Sequence, residues 1–474
     1  MVFSSLEFLF LYLPVTLLFY FLIPHKYLKL RNLELLIMSL LFYGWGEPIY
    51  MFLMMFTIIV DYIGGYFVGK YLDTNKKVSK IWMIATIIVN LLILGYFKYF
   101  NFIIGNINGI FGTAIPLVEG LSLPIGISFY TFQSLSYVID VYRRDARVQT
   151  NLPTFGAYVT LFPQLIAGPI VRYQDVDDML RERDENFALF ASGVRTFLAG
   201  MGKKIFFANI AGQLWEAYRV LPVGDRSVFG AWIALVCYMF QIYFDFSGYS
   251  DMAIGLGKMV GFRFLENFNY PYIADSISNF WRRWHMSLTT WFTEYIYFPL
   301  GGSRVDKKWK VYRNTFIVWL TTGIWHGASW NYILWGLYYW VIQTLEKAFL
   351  LKWMEKWPKF LRHIYTLVLV LFGWWLFVFE DRGAGVVYLS NMFGMGGVGG
   401  FINATDLYDF VRNIVFFAVL CIACTPYPKQ LFYKLYETKG WARVATYVGG
   451  VAVTLLCIAY LVSSSFNPFL YFRF

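Results

Sequence analysis

The stretch Thr315–Trp340, TFIVWLTTGIWHGASWNYILWGLYYW, has no charged residue and is long enough to cross a bilayer, yet it carries His326. His326 lies thirteen residues beyond Arg313. On a helix rising about 1.5 Å per residue it would sit roughly 20 Å in, near the midplane of a ~30 Å hydrocarbon layer. An imidazole at that depth is costly and marks a functional position unless its own helix satisfies it, for which Thr322 and Ser329 are the candidates. Gly323 and Gly327 flank it and leave room for another backbone or a ligand.

Two neighbouring stretches supply further polar groups. Ser278–Phe292, SNFWRRWHMSLTTWF, reads as one amphipathic helix. At 100° per residue Phe280, Trp281, Trp284, His285, Leu288, Trp291 and Phe292 fall within an arc of about 140°, with Arg282, Arg283 and three threonines opposite. His285 stands at the edge of that aromatic face, where it could line a partly desolvated pocket or simply sit at an interface. Upstream, QIYFDFSGYSD (Gln241–Asp251) ends an apolar run with Asp245, Ser247 and Asp251. The two carboxylates are six apart across Gly248, a spacing unsuited to a paired acid and base on one helical face, so they read as orienting or structural groups.

Composition agrees with a membrane protein: 58% of the 474 residues are hydrophobic and 15% charged, against roughly 45–50% and 25% in soluble domains. Aromatic residues make up 22%, more than two interfacial belts require, so many rings are expected inside the bundle. The net charge of +11 fits basic cytoplasmic loops better than nucleic-acid binding. Leu6–Pro24 is the first expected span, and further apolar runs follow at Leu33–Tyr43, Ile49–Val68, Ile81–Phe97 and Phe102–Phe111. Several are short, which points to tilted, broken or re-entrant helices. Lys26, Lys29 and Arg31 place the end of the first run in the cytoplasm and the N-terminus outside. One conflict arises, because Arg304–Arg313 and Lys347–Arg362 are both basic, whereas a single crossing between them would put them on opposite sides. Either Gly323–Gly327 breaks the stretch into a re-entrant pair or the second cluster is an exception, and topology over residues 314–363 stays open.

Leu123–Asp140 and Phe162–Arg172 mix polar residues, Gln133 and Gln164 among them, into apolar runs, as lumen-facing or buried helices do. Met395–Gly400, MGGVGG, reads as a flexible loop, since no strand precedes it and no Lys-Ser/Thr follows. Cys237, Cys421, Cys424 and Cys457 lie in apolar runs and read as packing residues; no metal site is expected. No internal repeat is visible, which disfavours the one alternative of another class, a proton-coupled transporter with histidine and aspartate as a relay.

The run from Gln241 to Arg304 and TTGIWHGASWNYILWG, together with MVFSSLEFLFLYLP, FPQLIAGPIVRY and the closing NPFLYFRF, resemble the membrane-bound O-acyltransferase superfamily, in the branch of the alginate and peptidoglycan O-acetyltransferases. The likeness covers nearly the whole chain. It implies a single integral-membrane domain over 1–474, all-α and polytopic, with outer transmembrane helices around a core of shorter tilted or re-entrant helices. It implies His326, in its WHG setting, as catalytic, and His285, in its RRWH setting, as a second histidine tied to activity. Asp245, Ser247, Gln133, Gln164, Trp284 and Asn267 are the pocket-lining candidates, with Asp245 a candidate to hold the tautomer of His326. The implied reaction is O-acyl transfer with acetyl-CoA as donor and no bound cofactor, in a bacterial cytoplasmic membrane. The acetyl group passes to a periplasmic or extracellular partner of serine-hydrolase type that modifies a polysaccharide. D-alanyl transfer to teichoic acid, the reaction of a related branch, is the runner-up.

Overall fold

In the computed structural model residues 1–166, 168–464 and 466–470 are described, and their contacts group into two compact units, residues 1–199 with 249–266 and residues 200–248 with 267–470. The chain is an all-α, polytopic membrane protein; no strand occurs among the described residues. Among them, five helices are long and apolar enough to cross a membrane: Tyr50–Tyr71, Lys76–Phe111, Val228–Met259, Lys359–Val378 and Gly440–Ser463. Two sharply bent pairs, Phe8–Leu22 with His25–Gly44 and Ile414–Ala423 with Tyr427–Thr438, raise the number to seven if each pair is one span.

Local chemistry explains where these helices break and where they do not. Ile23 is extended (φ −77°, ψ 121°), as the residue before a proline tends to be, and the chain turns by 105° at Pro24. In contrast, the short apolar runs Ile81–Phe97 and Phe102–Phe111 belong to one helix, Lys76–Phe111. A π-helical turn, Gly95–Tyr99, carries the polar interruption, and the buried Lys98 Nζ donates to Ser128 Oγ at 3.0 Å.

In the first unit, Tyr50–Tyr71, Lys76–Leu94 and Ile127–Arg143 pack closely, because Gly64 receives the Thr86 side chain and Gly65 the Tyr137 ring. A Cβ on either glycine would lie 2.1–2.2 Å from that neighbour. Asp61, midway along the first of these helices, is fully buried and accepts a 2.6 Å hydrogen bond from Asn90 Nδ2.

The second unit resolves the conflict over the charge-free stretch, which is not one crossing but a helical hairpin. Lys308–His326 ends at the histidine, Gly327 and Ser329 are extended, and Trp330–Leu345 returns alongside. Trp340 Nε1 donates to Tyr312 O and Trp319 Nε1 to Gln343 Oε1, each at 3.2 Å, while the Phe316 and Trp340 rings meet at 5.0 Å. Trp319 meets Gly336 and Gly323 meets Tyr332, so contacts that run up one arm run down the other; the arms are antiparallel, and Arg313 and Lys347 share one end of the hairpin. Glycine permits this approach: a Cβ on Gly323 would be 2.5 Å from Tyr332 O, and one on Gly336 2.4 Å from Trp319 O. The helix Lys359–Val378 is antiparallel to the second arm, with Tyr338 OH donating to Leu369 O at 2.8 Å and Asn331 Nδ2 to Phe377 O at 3.0 Å.

Candidate functional site

His326 is the last residue of its helix and forms the tip of the hairpin. It is 4% exposed, and its ring meets those of Trp325, Trp335 and Phe377 at centroid distances of 5.0, 5.0 and 5.2 Å, all edge-on. Three aromatic walls exclude water. The two glycines also have defined occupants, since Gly323 receives the backbone of the returning arm and Gly327 the ring of Tyr332, at 2.3 Å from a would-be Cβ.

The structure corrects the single amphipathic helix expected over Ser278–Phe292. There are two short helices, Ile277–Trp281 and Met286–Phe292, and His285 sits at the break with left-handed backbone angles, φ 46° and ψ 53°. A non-glycine residue pays strain to be there, of the kind that collects at functional positions. The break forms because Met286 N–H donates to Asn267 O and Asn269 N–H to Arg283 O, both at 2.9 Å, so a neighbouring loop takes over helical hydrogen bonds. Asn267 Oδ1 lies 3.1 Å from His285 Nδ1 and accepts from Ser287 N–H at 3.2 Å and Ser287 Oγ at 2.9 Å. The His285 ring stands edge-on to Phe246 at 4.6 Å and lies 6.3 Å from Trp325. Trp325 thus touches both histidines and joins them in one aromatic cluster.

The other sequence candidates are distributed more widely. Trp284, beside His285 in the chain, packs on Trp374 at 4.7 Å and Phe268 at 5.1 Å and belongs to the same buried wall. The Asp245 carboxylate is taken by Lys204 Nζ at 2.7 Å and by Leu470 N–H at 2.9 Å, and Lys204 also donates to Pro468 O. Asp245 therefore anchors the C-terminal segment, and no imidazole is among these partners. Ser247, two residues on, is buried. Gln133 and Gln164 lie in the first unit and converge on Tyr158: Gln164 Nε2 donates to its backbone O at 2.5 Å, and its OH donates to Gln133 O at 3.1 Å.

Two buried groups escape the sequence reading. The Glu346 carboxylate accepts from Ile277 N–H at 2.7 Å and Ser278 N–H at 2.8 Å, so the base of the hairpin caps the helix that leads to His285. Its signal was a lone acidic residue ending an aromatic run, as Asp61's was a lone carboxylate inside one. Among the described residues, no group of three or more His, Cys, Asp or Glu could hold a metal ion.

Residues 127–381 match the family model described as membrane-bound O-acyltransferase. Over 399 residues, 84% of this chain and 79% of the relative, the sequence is 42% identical to the probable alginate O-acetylase AlgI of Azotobacter vinelandii. It is 34% identical over 433 residues to the peptidoglycan O-acetyltransferase of Helicobacter pylori, covering 84% and 81% of the two chains. The teichoic acid D-alanyltransferase of Bacillus subtilis is 29% identical over 271 residues, 53% of this chain and 68% of that one.

Proposed function

The chain belongs to the membrane-bound O-acyltransferase family, and from that premise we propose that it takes acetyl from a cytoplasmic thioester, acetyl-CoA, and delivers it across the membrane for O-acetylation of an extracytoplasmic polysaccharide. It is a bacterial multi-pass O-acyltransferase, which leaves no place for the transporter alternative. The observation that carries the finer reading is the placement of His326: a dry, aromatic-walled imidazole at a hairpin tip, roughly 20 Å along the helix from the basic end at Arg313. With Arg304–Arg313 and Lys347–Arg362 at one end of the hairpin, that end faces the cytoplasm, as does the segment after the first span, so the N-terminus is outside. His326 is then reached by a donor from one face and an acceptor from the other.

In this reading the neutral imidazole of His326 accepts the proton of an acceptor hydroxyl as its oxygen attacks the thioester carbonyl, and the departing thiolate recovers that proton. The acceptor is a hydroxyl of an extracytoplasmic protein of serine-hydrolase type, which passes the acetyl group on. Acetyl is preferred to D-alanyl because similarity to the O-acetyltransferases extends over more of the chain and at higher identity.

The test is radiolabelled acetyl-CoA supplied to purified protein in vesicles, with D-alanyl thioester in a parallel arm. The proposal expects thioester cleavage and label on a hydroxyl acceptor, and a fall of about 10²–10⁴-fold in His326→Ala. Turnover of the D-alanyl donor alone, or unchanged activity without the imidazole, would overturn it.

A further inference from the structure

We propose that Asn267 is a positioning residue that holds His285 as the Nδ1–H tautomer and thereby makes Nε2 its basic atom; the proposal rests on the acyl-transfer reading above. The geometry determines the amide's orientation first. Asn267 Oδ1 faces Ser287 N–H at 3.2 Å, and a backbone N–H can only donate, so the side-chain atom there is the oxygen and not the NH₂. The Ser287 hydroxyl at 2.9 Å donates to the same oxygen. His285 Nδ1 lies 3.1 Å from it, and an acceptor oxygen requires hydrogen on that nitrogen. In the neutral ring the lone pair is then on Nε2.

Asn267 is itself held in place. It is 1% exposed, and its backbone O accepts from Met286 N–H at 2.9 Å, so the loop is tied to the residue that follows His285 as well as to the imidazole. The left-handed backbone at His285 is what turns the ring back toward Asn267. A helical His285, continuing Ile277–Trp281, would break the Met286 link. The contact therefore accounts for two features at once: the strained backbone, and the choice of an amide where a hydrogen-bond acceptor is needed. An aspartate at 267 would select the same tautomer but would also neutralise an imidazolium, as the carboxylate of a Ser-His-Asp triad does. The amide selects the tautomer without adding charge to a dry, aromatic site.

The chain has four histidines, His25, His285, His326 and His363, so ring ¹⁵N labelling of histidine alone resolves the question by solid-state NMR of the full-length protein in lipid vesicles at pH 8. A His285→Gln spectrum assigns the signals. The expected wild-type spectrum has His285 Nδ1 protonated and Nε2 bare. Asn267→Asp keeps that tautomer and leaves acetyl transfer within about tenfold. Asn267→Leu gives a mixed or Nε2–H ring and lowers transfer about 10²-fold, on the scale of a misplaced proton acceptor. A wild-type Nε2–H ring overturns the proposal, as does an Asn267→Leu protein with unchanged tautomer and unchanged activity. Should Asn267→Leu not accumulate, the wild-type and Asn267→Asp spectra decide. The spectra do not depend on turnover, so failure of the acyl-transfer reading, seen as wild-type protein inert toward acetyl-CoA, is distinguishable from failure of this one.

Discussion

Alanine at Gly323 or Gly336 gives opposite outcomes according to whether residues 308–345 form a hairpin or a single crossing. In an exposed helix, glycine to alanine stabilises by about 1 kcal/mol, because alanine is the better helix former. In the hairpin, the added Cβ meets backbone oxygen at 2.5 Å on Gly323 and 2.4 Å on Gly336, about 0.9–1.0 Å inside the 3.4 Å of ordinary contact. Backbone cannot rotate away as a side chain can, so the arms must part by about that distance, at an overpacking cost of ~1–3 kcal/mol. Gly323 is one turn from His326, and Gly336 is next to Trp335, whose ring the imidazole touches. A displacement near 1 Å at the reacting group is worth ~10²-fold in rate. Each substitution should therefore lower acetyl transfer about 10²-fold at matched abundance and reduce thermal stability in detergent. Gly105→Ala is the control, because a Cβ there has no neighbour within 4 Å, and it should be neutral or stabilising. Full activity with raised stability in Gly323→Ala would refute the hairpin as the scaffold of the site.

Other outcomes follow from single contacts. His285→Ala should impair transfer no more than His326→Ala does, without loss of abundance, as measured by product acetylation in cells; a fully active variant would return His285 to a packing role. Asp245→Ala strands the buried Lys204, 2% exposed, and should cost about 3–5 kcal/mol by thermal or denaturant unfolding, whereas Lys204→Met with Asp245→Leu should recover most of it. Asp177 is held below the usual carboxylate range, since hydrogen bonds from Arg147 (2.8 Å) and Arg181 (2.9 Å) outweigh the opposing effect of its burial. Its contribution is present above the unfolded value near pH 4 and is lost as pH falls through the lower folded value. Asp177→Asn should therefore destabilise the protein at pH 7, and the gap to wild type should close under stronger acid.

How much of this was legible in the sequence depended on whether a signal lay in one residue or in a relation between distant ones. The charge-free stretch around His326 and the clash between two basic clusters were both visible, and together they narrowed residues 314–363 to two arrangements. What could not be seen was the choice between them, because the hairpin is made by Gly336 against Trp319 and Gly323 against Tyr332, and no proline announces the turn. Pro24, which does announce one, bends the chain where a local rule says it should. Asp61 and Glu346 were missed for the same reason: each is a single carboxylate in or at the end of an apolar run, with partners, Asn90 and the Ile277–Ser278 backbone, that lie 29 and about 70 residues away.

The case of Ser278–Phe292 shows why periodicity failed where it looked strongest. Aromatic residues at helical spacing predict one buried face, and Phe280, Trp281, Trp284, Leu288, Trp291 and Phe292 are indeed all buried. Burial does not require that they share a helix. Each short helix buries its own rings while Thr289 stays exposed, so nothing requires the 3.6-residue repeat to run unbroken through His285. The pattern is then satisfied on either side of His285 while the backbone at His285 answers to Asn267, eighteen residues earlier. A helix continued through His285 would have aimed the imidazole by its face alone. The break aims it by a hydrogen bond, which specifies one nitrogen, and chemistry that moves a proton needs that distinction where packing does not.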